Sequence, residues 1–549
     1  MGDAPLVTGL GHAGLRVETA DLRLLFDPWL SGSAFLGAWY PLPDNRFLRT
    51  DRVLDCDWVA VSHEHQDHLD LRLLASLPDR VRVVIPRYPS AHLRTLLQRA
   101  GVRHVVEVRA WERLPLNDRG DWLTVIPEVS PMCHDSGILV VAGGYAVLHM
   151  NDARLSVAQL RRAAAEAGRD QLDFLGVQMS GASWHPICYD YPPDVVARVS
   201  GEKRVSKFRS VTRLVRSTKP RLVVPYAGPP CFLDAEVARH NRGIPAPGIF
   251  PDPAQATAWL RERLPHQRSL HLLPGDRIDV GSGTVAREPR WGTSPYEELD
   301  GYLADYADRR AGEIAADRAA YPEPDGSVGL ADLAEQHFTR LGELSPYFLE
   351  RIGFVVRLEV DGPEGGRWDV RLGPDRVSVD RTGRSASPAY RIRVASRWLW
   401  PVLAGRTGWE DLFLSLRFSA ARDPDVYNDY LVGLLKHADA AALAAVEEYE
   451  VLRDPDETVQ VAAGDRRFEV SRYCPHAGED LREGAVITGG VLRCLAHNFE
   501  FDLSSGACLN ARCDPISVRP AEPAQEIEPA REIEPARAIE PARAIEPAR

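Results

Sequence analysis

One six-residue loop constrains this chain more than any other feature. Residues 63–68 read HEHQDH, and they follow the apolar strand pattern WVAV. His63 and His65 are two residues apart, so an extended loop turns both imidazoles to one side, while Asp67 and His68 follow within reach of a second metal. Imidazole and carboxylate donors suit zinc, iron or manganese. The alternative is a His-rich surface loop without metal, but this order of donors favours a metal site.

The surrounding pattern predicts the order of domains. Residues 1–285 alternate short apolar runs with helical stretches, which indicates a layered α/β domain that holds the metal loop at a strand end. Residues 286–445 begin as an exposed helix or connector and continue as an α+β domain, with a hairpin around DGPEGG. Residues 446–519 form a small all-β module, and 520–549 a hexapeptide-repeat tail that we expect to be disordered.

Composition excludes several classes. The 549-residue chain has a net charge of -12, which argues against nucleic acid as the main partner. No basic segment followed by an apolar stretch opens the chain, and no run of about 18 apolar residues occurs, so we expect neither a signal peptide nor contact with a membrane. Eight cysteines in so long a chain do not make a disulfide scaffold, and a cytoplasmic location is predicted.

A second set of ligands lies near the C-terminus. RYCPHAGED supplies Cys474 and His476, and RCLAHNFEFD supplies Cys494 and His497. One Cys and one His in each of two loops is the ligand set of a Rieske [2Fe–2S] cluster. A zinc finger is the alternative, but it places two Cys in one hairpin and two His on one helix. Residues 447–519 resemble a Rieske domain.

Residues 6–280 resemble the metallo-β-lactamase superfamily, on the loop at 63–68 and on GLGHAG and LLFDPWL. The resemblance implies an αββα sandwich. It also implies two further metal ligands after the loop, for which His134 and Asp152 are the candidates. His12 either faces the metal pocket, with a catalytic role, or is a structural residue of the first strand.

The last ligand of that superfamily departs from the pattern. A late His is expected after a strand, but Tyr226 and Ala227 occupy its place in RLVVPYAGPP. His185 either replaces it or packs in a loop. The site therefore holds one or two metal ions.

The two sites together indicate redox chemistry, because a Rieske cluster transfers electrons and zinc has no redox chemistry. The combination resembles the CMP-N-acetylneuraminate hydroxylase family. The resemblance implies an iron monooxygenase that inserts oxygen from O2 into a C–H or N–H bond of a small polar substrate, such as a nucleotide sugar or a secondary-metabolite intermediate. It implies non-heme iron at the first site and an external reductase such as a ferredoxin or flavoprotein. Electrons pass within one chain or across the subunit contact of a homo-oligomer.

Other functions remain as alternatives. A zinc or manganese hydrolase of the lactonase or phosphodiesterase type would use the Rieske domain as a redox sensor. A pure electron carrier would have an inactive first domain, which the intact loop at 63–68 disfavours. The basic stretch 201–219 predicts either a solvated helix or an anion-binding face.

Overall fold

A computed structural model describes residues 3–180, 183–385, 387–452, 457–476, 478–495 and 499–521. Two sheets form the first domain. The strands of the first sheet are β1 (Leu6–Gly11), β2 (Gly14–Glu18), β3 (Arg23–Phe26), β4 (Trp58–Ala60), β5 (Arg82–Pro86), β6 (Val105–Val108), β13 (Arg277–Asp279) and β14 (Val285–Ala286). The strands of the second sheet are β7 (Leu114–Pro115), β8 (Trp122–Pro127), β9 (Ser136–Ala142), β10 (Tyr145–His149), β11 (Phe174–Gln178) and β12 (Val223–Tyr226). Their spatial orders are β14-β13-β1-β2-β3-β4-β5-β6 and β12-β11-β10-β9-β8-β7.

Helices cover the outer faces of both sheets. They are α1 (Thr50–Val53), α2 (Leu71–Ala75), α3 (His92–Arg99), α4 (Val157–Glu166), α5 (Pro193–Thr218) and α6 (Pro253–Arg263), with a 3-10 helix at Ala238–Gly243. Val17 and Val140 belong to a core between the two sheets, Leu97 to one under α2 and α3, and Leu160 and Phe208 to one under α4, α5 and α6. This helix–sheet–sheet–helix order confirms the predicted αββα sandwich.

Local sequence explains where α4 begins. The Ser156 hydroxyl accepts from the amide of Gln159 over 3.2 Å, and the Gln159 side chain accepts from the amide of Ser156 over 2.9 Å. This capping box satisfies two amides that the first helical turn leaves unpaired. It directly follows the loop that carries Asp152, so the cap fixes the position of that loop.

The middle domain packs against loops of the first domain. Its strands are β15 (Phe354–Asp361), β16 (Gly366–Leu372), β17 (Val377–Asp380), β18 (Tyr390–Ala395), β19 (Phe418–Arg422) and β20 (Tyr427–Asn428). Its helices are α7 (Leu299–Ala319), α8 (Leu330–Gly342), α9 (Pro346–Ile352), α10 (Ser396–Leu403), α11 (Trp409–Leu414), α12 (Asp429–His437) and α13 (Ala440–Leu452). One hydrophobic core joins Trp39 and Phe232 of the first domain to Phe348, Trp398 and Trp409 of the middle domain. The two domains therefore share their interior.

The third domain has two small sheets. Its strands are β21 (Thr458–Ala463), β22 (Arg466–Ser471), β23 (Ala485–Thr488), β24 (Val491–Cys494), β25 (Glu500–Asp502), β26 (Ala511–Arg512) and β27 (Val518–Pro520), and its helix is α14 (Leu481–Gly484). It has a separate core around Phe468 and Phe501. Parallel pairing of β26 with β20 attaches it to the middle domain.

The α+β middle domain and the small all-β domain agree with the predicted fold class. The predicted domain limits stay predictions, and residues 522–549 of the repeat tail lie outside the described residues. Among the residues that the structure describes, no helix is both long and apolar enough to cross a membrane.

Candidate metal centre

The loop after β4 holds the predicted ligands in a tight turn. The amide of His68 donates to the carbonyl of His65 over 2.9 Å. Asp70 ends the loop as the N-cap of α2, where its carboxylate accepts from the amide of Leu73 over 3.0 Å. His63 and His68 have exposed fractions of only 1 % and 0 %. The turn therefore directs these imidazoles into the protein.

Seven side chains converge in three overlapping groups, and the candidate ligand atoms of each group lie within 4.8 Å of one another. The groups are His12, Asp67 and His68; His63, His68 and Asp152; and His63, His65 and Asp135. His63 and His68 each belong to two groups, so the seven form one continuous cluster, called here the metal cluster. Four imidazoles and three carboxylates are donors enough for two ions.

Close approaches between these donors fit a metal. Nε2 of His63 lies 2.8 Å from Nδ1 of His65, and Nε2 of His68 lies 3.3 Å from Oδ1 of Asp152. Oδ1 of Asp67 and Oδ1 of Asp152 are buried and have no hydrogen-bond partner among the described residues. Buried polar atoms are normally paired, so an ion that joins these atoms explains their placement.

The protonation states of His63 and Asp152 also suit a metal. Burial lowers the pKa of His63 to about 4, and the neighbouring His68 and His65 add to the effect. Burial alone would raise the pKa of Asp152, but His68 outweighs it and lowers this pKa. At neutral pH the His63 imidazole is therefore neutral and the carboxylate is ionised, which are the forms that bind metal ions.

Asp27 orients two of the imidazoles, that of His68 directly and that of His63 through Ser62. Its Oδ2 lies 2.8 Å from Nδ1 of His68 and accepts from the Ser62 hydroxyl over 2.6 Å. The Ser62 hydroxyl in turn lies 2.8 Å from Nδ1 of His63. Both rings are thereby held with Nε2 toward the metal cluster. Carboxylates that hydrogen-bond to ligating imidazoles orient them in the same way in metal sites. The sequence analysis missed Asp27, although it lies in the strand end LLFDPWL.

The middle domain contributes an ion pair to the metal cluster. Oε2 of Glu410, on α11, lies 3.0 Å from Nε2 of His65, and Nζ of Lys436, on α12, lies 3.0 Å from Oε1 of Glu410. Burial alone would lower the pKa of His65, but Glu410 outweighs it and raises this pKa to about 9. No sequence signal marks Glu410 or Lys436, because both lie more than 340 residues after the loop at 63–68.

The structure places His12 inside the metal cluster and His134 outside it. Nε2 of His12 lies 2.8 Å from Oδ2 of Asp67, inside the metal cluster. His134 stacks on Tyr88 with 4.8 Å between ring centroids and belongs to none of the three groups. Asp135, the next residue, belongs to one of them. Neighbouring residues of an extended segment point to opposite sides, which is why the carboxylate and not the imidazole reaches His63 and His65.

His185 is not brought to the metal cluster. Its Nε2 lies 3.3 Å from the hydroxyl of Tyr191, and burial lowers its pKa to about 2. Its role as a ligand stays a prediction that no described contact supports. Tyr226, where the superfamily has its last His, instead accepts from the amide of Asn151 over 2.6 Å. The tyrosine therefore supports the loop that carries Asp152.

The third domain presents its predicted cluster ligands on two loops. In the first loop the amide of Cys474 donates to the carbonyl of Glu479 over 2.8 Å, and in the second the amide of Cys494 donates to the carbonyl of Phe499 over 2.8 Å. Both thiols have an exposed fraction of 0 %. Two buried thiols on paired loops fit the thiolate side of a [2Fe–2S] cluster. His497 lies outside the described residues.

His476 turns one ring nitrogen toward the middle domain. Its Nε2 lies 3.2 Å from Oδ2 of Asp429, the first residue of α12. Burial alone would lower the pKa of His476, but Asp429 outweighs it and raises this pKa. Because Nε2 contacts Asp429, Nδ1 is the ring nitrogen that could bind an iron of the cluster.

Comparison with known proteins identifies the domains in which the two sites lie. The model of a beta-lactamase superfamily domain matches residues 22–161, and that of a Rieske [2Fe–2S] domain matches residues 438–519. A protein of Mycobacterium tuberculosis described as a Rieske 2Fe–2S iron–sulfur protein is 30% identical over 533 residues, which cover 92% of this chain and 98% of that protein. The chain belongs to this family of Rieske 2Fe–2S iron–sulfur proteins.

This Rieske family member is also similar to hydroxylases. The cytidine monophosphate-N-acetylneuraminic acid hydroxylase of Danio rerio is 24% identical over 454 residues, which cover 77% of this chain and 70% of that enzyme. The crystal structure of CmlA, a diiron beta-hydroxylase from Streptomyces venezuelae, matches 52% of this chain and 55% of its own with 21% identity and a TM-score of 0.34.

Proposed function

We propose that this protein is a Rieske-coupled non-heme iron oxygenase that inserts oxygen from O2 into a C–H or N–H bond of a small polar substrate. Iron in the metal cluster would supply O2 activation, and a [2Fe–2S] cluster in the third domain would supply electrons. The observation that carries this proposal is the single helix α12, which contacts the surroundings of both sites within one chain.

The helix begins at Asp429, beside His476 of the Rieske domain, and reaches Lys436 near its end, where Glu410 links it to His65. At 1.5 Å per residue, its nine residues span roughly 13 Å. A second contact lies beside it: a Cβ added to Gly478 of the first Rieske loop would come 2.9 Å from Cγ1 of Val129 in the first domain. The short span supports electron passage within one chain, so a homo-oligomer is not required for it.

Different residues would orient the imidazoles and hold the iron. Asp27 and Ser62 hold two imidazoles in orientation, and Glu410 does the same for His65. The metal cluster would hold iron through His63, His65, Asp67, His68, Asp135 and Asp152, with His12 bound to Asp67. Because His63 and His68 are buried, bulk water has little access to this part of the metal cluster. An external reductase, such as a ferredoxin or flavoprotein, would reduce the Rieske cluster again after each electron transfer.

One alternative is favoured by a specific observation, the donor set itself. Histidine and aspartate bind zinc and manganese as well as iron, so a hydrolase with a redox-sensing Rieske domain would use the same residues. The two functions differ in the metal that the cluster holds and in whether reduced protein consumes O2.

Metal and acid-labile sulfide analysis of anaerobically purified full-length protein tests the proposal, with EPR after dithionite reduction. We expect about two irons and two sulfides with a Rieske signal, and one or two further irons. His63→Asn should remove only the further iron and Cys474→Ser only the Rieske signal, while His92→Asn, at an exposed histidine of α3, changes neither. Zinc in the metal cluster together with no O2 consumption by the reduced protein would refute the oxygenase and favour the hydrolase.

A further inference from the structure

Lysine is rare in this chain, and three of the four lysines lie on α5 or at its end. Only four of the 66 basic residues are lysines, at positions 203, 207, 219 and 436. Lys436 pairs with Glu410. Lys203 and Lys207 lie four residues apart on α5, so they share one face of that helix. Both are partly buried, whereas Lys219 at the end of the helix is exposed.

Neither Lys203 nor Lys207 has an acidic partner within 4.0 Å among the described residues. Nζ of Lys203 donates to the carbonyl of His185 over 3.0 Å and to the hydroxyl of Ser183 over 3.2 Å. Nζ of Lys207 donates to Oε1 of Gln178 over 2.7 Å. These acceptors are neutral, so neither partly buried amine is paired with a counter-charge, and its protonated form costs free energy unless an anion joins it.

A third cation lies beside them. Arg154 follows the candidate ligand Asp152 by two residues and is exposed. Arg154, Gln178 and Lys207 line one cavity together with Arg213 and Glu479, which form an ion pair. The cavity therefore lies between the segment that follows Asp152 and the Rieske domain.

Electrostatics show that Arg154 acts on both lysines. Burial lowers the pKa of Lys203 to about 7, and Arg154 and Arg422 add to the effect. Burial, with Arg154, also lowers the pKa of Lys207 to about 8, against the attraction of Asp152.

We propose that Lys203, Lys207 and Arg154 form an oxyanion site that holds a phosphate or carboxylate group of the substrate beside the metal cluster. Arg154 and Lys207 line one cavity, and Lys203 lies one helical turn before Lys207 on the same face of α5. Several cations match the several acceptor oxygens of such a group. This proposal rests on the proposed function only where it assigns the anion to the substrate of an oxygenase. Binding of the anion itself does not depend on that function.

The scarcity of lysine makes a direct test practical. Metal-loaded full-length protein would be treated with a pulse of acetic anhydride at mildly alkaline pH, and acetylation of each lysine would be measured by mass spectrometry. We expect inorganic phosphate or acetate, but not sodium chloride at equal ionic strength, to protect Lys203 and Lys207 severalfold. Lys219 should not be protected. Stronger protection by phosphate would identify a phosphoryl group, and stronger protection by acetate a carboxylate.

Variants give a second measurement. In calorimetric titration with the better anion, Lys207→Met should weaken binding on the order of tenfold, because a hydrogen bond to a charged group is lost. Lys207→Arg should retain binding, and Lys219→Met should leave it unchanged. An unchanged metal content of the metal cluster, together with an intact Rieske EPR signal, shows in each variant that the first and third domains have folded.

Equal acetylation of both lysines with and without phosphate and acetate would overturn the proposal, as would unchanged affinity in Lys207→Met. These results do not depend on which metal the cluster holds. If the cluster holds zinc and anion protection is still observed, the oxyanion site stands and the oxygenase fails. If iron and O2 consumption are found without protection, the opposite holds.

Discussion

Replacing Glu410 by glutamine tests whether the middle domain helps to hold the metal cluster. Glutamine keeps the size of the side chain but removes the charge that lies 3.0 Å from both His65 and Lys436. With an effective dielectric constant of about 20, the attraction between Glu410 and Lys436 at this distance is about 5 kcal/mol. Glutamine also avoids the desolvation of a carboxylate, so we expect a net loss of about 3 kcal/mol in the free energy of unfolding.

The more specific effect concerns metal binding. A carboxylate that hydrogen-bonds to a ligating imidazole raises its basicity and fixes its orientation, and its loss lowers metal affinity roughly 10- to 100-fold. Competition with a chelator at equilibrium would measure this affinity, while the Rieske EPR signal, from another domain, should not change. Glu343→Gln, at an exposed glutamate of the same domain, is the matched control. Equal metal affinity in Glu410→Gln and wild type would refute the role given to Glu410.

Three further outcomes are expected. Burial lowers the pKa of His337 to about 4, and its Nε2 accepts from the indole of Trp409 over 2.9 Å. In the unfolded chain the His337 imidazole takes up a proton near its usual pKa of 6.5. The folded protein therefore has its full stability above pH 6.5, and its free energy of unfolding falls by about 3 kcal/mol as the pH falls toward 4. His337→Gln should flatten this part of the pH profile in urea unfolding. Trp39→Ala, in the core shared by two domains, should cost about 3–5 kcal/mol by the same method. Asp429→Asn should leave both iron contents unchanged but slow reoxidation of the cluster by O2, followed by stopped-flow absorbance, because His476 loses its charged partner.

Each of these has a result that contradicts it. An unchanged pH profile in His337→Gln would assign the acid sensitivity to other buried histidines. A loss below about 1 kcal/mol in Trp39→Ala would show that the shared core tolerates the cavity. Reoxidation at the wild-type rate in Asp429→Asn would remove α12 from the electron path, and Asp439→Asn, at the N-terminus of the next helix, is its control.

The sequence predicted the parts of the site that lie close together in the chain. The loop at 63–68 follows a strand, and strand ends place donors together, so this group could be found from spacing alone. Asp135 could not be separated from its neighbour His134, because the choice depends on which side of the segment faces inward. Glu410 and Lys436 could not be found, because nothing in a sequence shows which face of a distant helix packs on the metal cluster.

The same limit applies to the fold. The alternating apolar runs predicted the layers of the first domain, and the hairpin at DGPEGG joins β15 to β16 as expected. The sharing of one core by two domains was not predictable, because Trp39 and Phe232 lie in loops whose apolar residues have no helical or strand period.

The distribution of hydrophobic cores bears on how such chains can be rearranged. The first and middle domains share an interior, so a cut between them would expose Trp39 and its neighbours to water. The third domain has an interior of its own and meets the middle domain through the short pairing of β26 with β20. A gene could therefore move this domain to the other end of the polypeptide, provided that a linker still let it dock beside Asp429, whereas the remaining two domains would have to be inherited as one piece.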